Sequence, residues 1–204
     1  MARSIDNIVV GVRSIDKATD MWIDHFGLDV VSERNGADSD LSKLWGLDDD
    51  QIEKQVLLTT PQVEVGRIHL VQFKNPLLPV RQHANATDLG PKNLDLKCLD
   101  LPKKYHELID LGYSFRSKYV AYQIESIGAD VLEVQMPGHD YTNIIFVEEI
   151  GEKIKLSTKG YGGITSLVTI VSDLEEETDF FMDLFSLKEV VSEDLFGDHV
   201  EKID

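Results

Sequence analysis

The sequence predicts an α+β protein built from tandem βαβββ modules. Two observations predict it. First, one plan is written twice in the chain. Ile5 to Val12 is a β-branched run, followed by Ser14-Ile15-Asp16, by Met21-Trp22-Ile23-Asp24-His25-Phe26-Gly27-Leu28, and by Val30-Val31-Ser32-Glu33. Ile164 to Val171, Asp173-Leu174-Glu175, Phe180 to Leu187 and Val190-Val191-Ser192-Glu193 repeat it as strand, capped helix and strand. Second, a looser copy starts between them at Asn93. One such unit cannot bury its own apolar face, so repetition implies units that share a core.

The elements follow in order. A strand is expected at 5–12, since apolar β-branched residues dominate it. Ser14 or Asp16 can accept amide hydrogens at the start of a helix over 17–26, which Gly27 ends. A strand at 28–33 follows, then a polar, irregular stretch at 34–52 around the apolar island Leu44 to Leu47. Strands at 54–60 and 67–73 are joined across the turn region from Pro61 to Gly66. Residues 74–90, with Pro76, Pro79 and Gly90, read as a connector. The plan restarts with a strand at 93–99 and a helix opened by Pro102 and ended by Gly112. Strands near 113–117, in broken form over 121–136, and at 142–149 complete it. After Gly160, Gly162 and Gly163 it restarts a third time. The expected organisation is a first module at 1–76, a connector at 77–90, a second module at 91–150 and a partial third at 151–204. A half-unit leaves sheet edges unpaired, so the expectation is a fragment of a longer protein, or else self-association about a two-fold axis.

Composition bounds the function. The chain has 204 residues, 42% hydrophobic and 28% charged, the make-up of an ordinary globular protein. Its formal net charge of -17 repels phosphate backbones and anionic lipid, which argues against nucleic acid and membrane partners. A single cysteine, Cys98, excludes an intramolecular disulfide framework and fits a reducing compartment, so a cytoplasmic setting is expected. Its alternating apolar surroundings favour a core thiol over a nucleophile. The acidic runs Asp48 to Asp50 and Glu175 to Glu177 read as solvated, the second also favouring the positive end of a helix. No phosphate-cradling loop, nucleophile elbow or Cys/His cluster is present. Trp22 reads as core and Trp45 as a loop anchor. Among the histidines, His139 reads as a solvated turn residue, and His69 as lying on the strand face away from Gln72.

The strand from Asn7 to Ser14, the Met21 to Leu28 segment and Gly66-Arg67-Ile68-His69-Leu70-Val71-Gln72-Phe73 carry a resemblance. With Met136-Pro137-Gly138 leading to Ile144 through Glu148, they resemble the vicinal oxygen chelate superfamily. That group includes glyoxalase I, bleomycin-resistance proteins, extradiol dioxygenases and certain epimerases. The resemblance implies modules pairing into a curved, mostly antiparallel sheet around a cavity, with a divalent metal held by residues of the first and last strands of each unit, usually His and Glu. Carried over, those positions are Asn7, Gln72, Asn93 and Glu148, with Ser166 in the third unit. Three amides and one carboxylate suit a transition metal poorly. The resemblance therefore implies no metal and no cofactor in this segment, with a divalent metal possible only in further C-terminal modules. Asn7, Gln72, Asn93 and Glu148, with Asp95 and Phe146, are expected to converge on a cavity, either as a satisfied polar plug or as a site for a small organic molecule.

Two functions follow as expectations. The chain is the metal-free N-terminal part of a ring-cleaving dioxygenase or a lyase acting on a small oxygenated compound. Alternatively it is a non-catalytic small-molecule-binding module of the bleomycin-resistance type.

Overall fold

The computed structural model describes residues 5–36, 39–48 and 50–189. Strand β1 (Asn7–Val12) is an uncharged run that leads through Ser14 into helix α1 (Ile15–Thr19), the Ser14 hydroxyl accepting the Lys17 amide hydrogen. Residues Asp20–His25 continue α1 as a wider π-helical segment. Gly27, at φ 73°, turns the chain out of it, a conformation that favours glycine. Strand β2 (Asp29–Asn35), helix α2 (Ser39–Trp45), β3 (Ile52–Thr59) and β4 (Arg67–Phe73) follow. They form a sheet ordered β1-β4-β3-β2, with β1 parallel to β4 and antiparallel pairs elsewhere.

The second unit repeats the pattern. Strand β5 (Gly90–Cys98), helix α3 (Leu101–Asp110), β6 (Val120–Ile124), β7 (Ala129–Pro137) and β8 (Asn143–Glu149) follow in sequence, with β5 parallel to β8. Strand β9 (Tyr161–Ile170), which opens the third unit, pairs antiparallel with β5 and completes a sheet ordered β6-β7-β8-β5-β9. The α+β architecture of curved, open sheets built from βαβββ units is the one the repeat predicts. Helix α4 (Leu174–Phe185) closes the described part. On it Phe180, Phe181 and Phe185 stack on one another and stay exposed. The expected last strand of the third unit, at 190–193, lies outside the described residues.

The core is shared between units. Trp22 and Phe26 are fully buried, and Phe26 packs edge-on to Phe146 of β8 at 5.5 Å and against Tyr161 of β9 at 4.7 Å. Each such ring contributes about 3 kcal/mol or more against truncation to alanine. Polar ties reinforce the joint: the Ser157 hydroxyl donates to the Phe26 carbonyl at 2.6 Å, and the Thr60 hydroxyl to that of Gly162 at 2.7 Å. Cys98 sits in this core, as its apolar surroundings predict.

Two local expectations change. The stretch at 34–52 contains α2, whose Leu41, Leu44 and Trp45 repeat at helical spacing and which Gly46 ends at φ 64°. No strand forms at 113–117; Arg116 donates its backbone amide to the Gln135 carbonyl, one isolated bond rather than a ladder.

Candidate functional site

Strand alternation and register decide which side chains can meet. Residues paired across parallel strands share a face. In the second unit Asn93 pairs with Asn143, Asp95 with Ile145 and Lys97 with Val147, all on one face. Leu94, Leu96 and Cys98 alternate to the other face, with Ile144, Phe146 and Glu148. That second face holds the buried apolar core and meets α3. The first unit repeats this arrangement. Asn7, Val9, Gly11, Arg67, His69 and Val71 share the face away from the helix, while Val10, Val12, Leu70 and Gln72 share the helix face.

The six sequence-predicted residues are therefore divided. Gln72 points at α1, where its Oε1 accepts the Ile15 amide hydrogen at 2.7 Å while its Nε2 donates to Glu53 at 2.8 Å. Glu148 points at α3, where its two oxygens accept the amide hydrogens of Asp100 at 2.9 Å and Leu101 at 2.7 Å. Phe146 is buried in the aromatic core. Asn7 is exposed and donates to its neighbour Asp6 at 2.9 Å. Only Asn93 and Asp95 stand together on the face away from the helix.

The expected convergence of Asn7, Gln72, Asn93 and Glu148 is corrected on a second count. In the parallel ladder Asn7 lies beside Arg67, and Gln72 lies beside Val12, five residues further along. That separates Asn7 from Gln72 by about 16 Å. Asn93 and Glu148 are offset in the same way, since Asn93 pairs with Asn143. A shift of one residue flips a side chain to the other face. The residue of the β8 end that shares the Asp95 face is Glu149, whose carboxylate is 3.2 Å from the Lys97 ammonium.

His69 lies on the face away from Gln72, as alternation predicts, its Nε2 2.9 Å from the Oε1 of buried Gln55. His139, by contrast, is no solvated residue. Its Nε2 accepts the indole hydrogen of Trp22 at 2.9 Å, and burial lowers its pKa to about 4, against a smaller opposing effect of Asp140. The ring is neutral, with the proton on Nδ1, as the accepting Nε2 requires.

A cavity of about 940 Å³ opens between the two units. It runs from the free edge of β1 (Ile8 to Val12) to the starts of β5 and β8, and the connector closes one side with Leu77, Leu78 and Val80. The walls are mostly apolar. Charged side chains line it as well, among them Arg13, Lys74, Arg81 and Lys92 with Asp50 and Asp140, and the Arg13 backbone amide donates to the Asp140 carboxylate at 2.8 Å. The neutral amides Asn93 and Asn143 stand at the starts of β5 and β8. Asn143 is held by Arg116 at 2.7 Å. Asn93 is only 3% exposed and its Oδ1 has no hydrogen-bond partner. A buried acceptor left unpaired costs about 1–3 kcal/mol, so it marks a place where a donor belongs.

Two residues along β5, Asp95 repeats the feature. Its Oδ2 accepts from the Ser166 hydroxyl of β9 at 2.5 Å, while its buried Oδ1 has no partner. Burial raises its pKa to about 6, the Ser166 bond opposing and the charge of Glu133 adding to the rise. Glu133 in turn accepts from Tyr122 at 2.7 Å. Lys97 is engaged elsewhere, between Glu149 and Glu152.

These donors do not fit a transition metal. The oxygens of Gln72 and Glu148 are spent on helix amides, the Ser166 hydroxyl is bonded to Asp95, and Asn7, distant from Gln72 along the ladder, offers only a weakly ligating amide oxygen. Among the described residues no three His, Cys, Asp or Glu side chains group as metal ligands. Nor is any described helix long and apolar enough to cross a membrane.

No family model and no curated protein matches the sequence. Solved structures do match its fold. A glyoxalase family protein from Bacillus cereus is 21% identical with a TM-score of 0.61, over 72% of this chain and 95% of its own. A Bacillus subtilis structure described as a candidate dioxygenase is 12% identical at 0.58, over 95% of this chain and 58% of its own. A glyoxalase I mutant from Zea mays is 13% identical at 0.56, over 91% of this chain and 56% of its own. The chain thus spans little more than half the length of the latter two. It has the vicinal oxygen chelate fold that the sequence resemblance implies.

Proposed function

We propose that the chain binds a small organic molecule in the cleft between its first and second units. One observation carries this reading: the wall of a largely apolar cavity of about 940 Å³ contains the buried, unpartnered Oδ1 of Asn93. Small-molecule sites combine such volumes and apolar walls with a few placed polar groups. The apolar walls supply affinity, and Asn93 fixes the orientation of one donor group on the ligand. Gly11 lines the same cleft, and a side chain added there meets only the Phe73 ring, 3.9 Å from its first carbon. Gly11→Leu therefore fills the cleft at little cost to the fold. A thermal-shift screen with small aromatic compounds tests the reading: hits for the native protein that vanish in Gly11→Leu support it. Hits that survive the substitution place binding elsewhere and reject it.

A second reading is a ring-cleaving dioxygenase or lyase of which this chain is the metal-free N-terminal part. It is favoured by the likeness, over 95% of this chain, to a candidate dioxygenase of which the match covers only 58%. In that case catalysis resides in further modules, and this segment contributes structure. Iron analysis and oxygen uptake with catechol, on the protein from the full reading frame, test it; a full-length protein without bound metal or turnover rejects it.

A further inference from the structure

Resting on the binding reading above, the open face of β5 points to the chemistry of the ligand. Two acceptor oxygens, Asn93 Oδ1 and Asp95 Oδ1, are buried without partners. They belong to residues two apart on one strand and on one face, with Cα atoms about 7 Å apart. Neither can donate while Asp95 is ionised, so what satisfies them must bring hydrogens.

The one charge among the described residues that acts on Asp95 is negative, although Arg13, Lys74, Arg81 and Lys92 line the cleft further off. Glu133 lies close enough to Asp95 to raise its pKa, and it accepts from the neutral Tyr122 hydroxyl. Among the described residues no Lys, Arg or His nitrogen forms an ion pair with Asp95 or Glu133, while Lys97 pairs with Glu149 and Glu152. A buried carboxylate without a countercharge is costly, and a ligand that carries the countercharge recovers that cost on binding. The whole-chain charge of -17 draws cations toward the protein and repels anions.

We infer that Asn93 and Asp95 receive the ammonium group of a small organic amine, whose apolar body lies in the adjoining cleft. An ammonium has three donors and no acceptor, the complement of two orphaned oxygens. Asn93 belongs to both places, since it lines the cleft and neighbours Asp95 on the strand.

The test compares benzylamine, benzyl alcohol and benzoate by ligand-observed NMR titration at pH 7.5. The native protein, Asp95→Asn, Ser166→Ala and Gly11→Leu are titrated in parallel. The expected result is benzylamine binding at least tenfold tighter than the other two. Asp95→Asn removes that preference and Ser166→Ala, which keeps the carboxylate, retains it. Equal binding of amine and alcohol, or an amine preference that survives Asp95→Asn, overturns the inference but leaves cleft binding standing if Gly11→Leu abolishes it. Absence of binding by all three overturns both readings.

Discussion

Gln72 and Glu148 hold equivalent places in the two units. Each stands near the end of its unit's last strand and accepts the backbone amide hydrogen of the residue that opens its unit's helix, Ile15 or Leu101. A helix start has amide hydrogens without partners inside the helix, and a polar side chain from the adjacent strand satisfies them. The pair thus ties helix to sheet in both copies, and its polarity is structural.

Glu148→Ala should destabilise the protein by about 2–3 kcal/mol, because two amide hydrogens lose a charged acceptor. Gln72→Ala should cost about 1 kcal/mol, the loss of one neutral bond. Urea unfolding followed by far-ultraviolet circular dichroism measures both. Equal and negligible costs would mean that the two side chains do not hold their helices.

Asp95→Asn should stabilise the fold at pH 8 by on the order of 2 kcal/mol, even as it removes amine binding. The folded-state pKa of Asp95 is raised by burial from 3.8 to about 6. Its protonated form therefore stabilises the fold below pH about 3.8, and that contribution is lost as pH rises through about 6. The substitution removes this dependence, so the native and variant stabilities should converge toward pH 4. A variant less stable than the native chain at pH 8 would contradict it.

His139 acts in the opposite sense. Its folded-state pKa is lowered by burial from 6.5 to about 4. The stability held by the neutral ring is present above pH about 6.5 and is lost as pH falls through about 4. In native protein the Asp95 and His139 effects oppose one another over this range. In Asp95→Asn the His139 effect stands alone, so unfolding midpoints should fall more steeply between pH 6.5 and 4 than in native protein. Trp22→Phe, which leaves the buried His139 Nε2 without its donor, should cost about 1–3 kcal/mol at pH 7.

Gly66→Ala should destabilise by more than about 2 kcal/mol. Gly66 sits at φ 67°, and a side-chain carbon there would lie 2.1 Å from the Ile164 carbonyl oxygen. The same two residues are bonded, Ile164 donating its amide hydrogen to the Gly66 carbonyl at 3.1 Å. The substitution should therefore loosen β9 first, seen as faster amide exchange at Ile164 than in the native chain. Unchanged exchange there would show that the contact does not position β9.

The Cys98 thiol should resist modification. It is buried in the core, and burial foremost pushes its pKa up to about 12. The thiolate is the reactive form, so labelling with a disulfide reagent at pH 8 should proceed only as fast as the protein opens. Labelling within seconds in the folded protein would place Cys98 at the surface.

The sequence by itself determined the units and their order. The repeat from Ile5 and from Ile164, the glycine at Gly27 and the apolar alternation of β5 state local preferences, which the chain carries wherever it folds. It also determined that Asn93 and Asp95 share a face, because alternation is a property of one strand. The tertiary structure alone decided which face that is. Leu70 with Gln72, and Phe146 with Glu148, alternate as correctly as their neighbours, but only the seating of α1 and α3 makes theirs the helix side. Register is equally non-local: pairing Asn7 with Arg67 rather than Gln72 depends on two strands sixty residues apart in the chain. The orphaned oxygens of Asn93 and Asp95 could not be read from sequence either, since lacking a partner is a fact about everything else packed nearby.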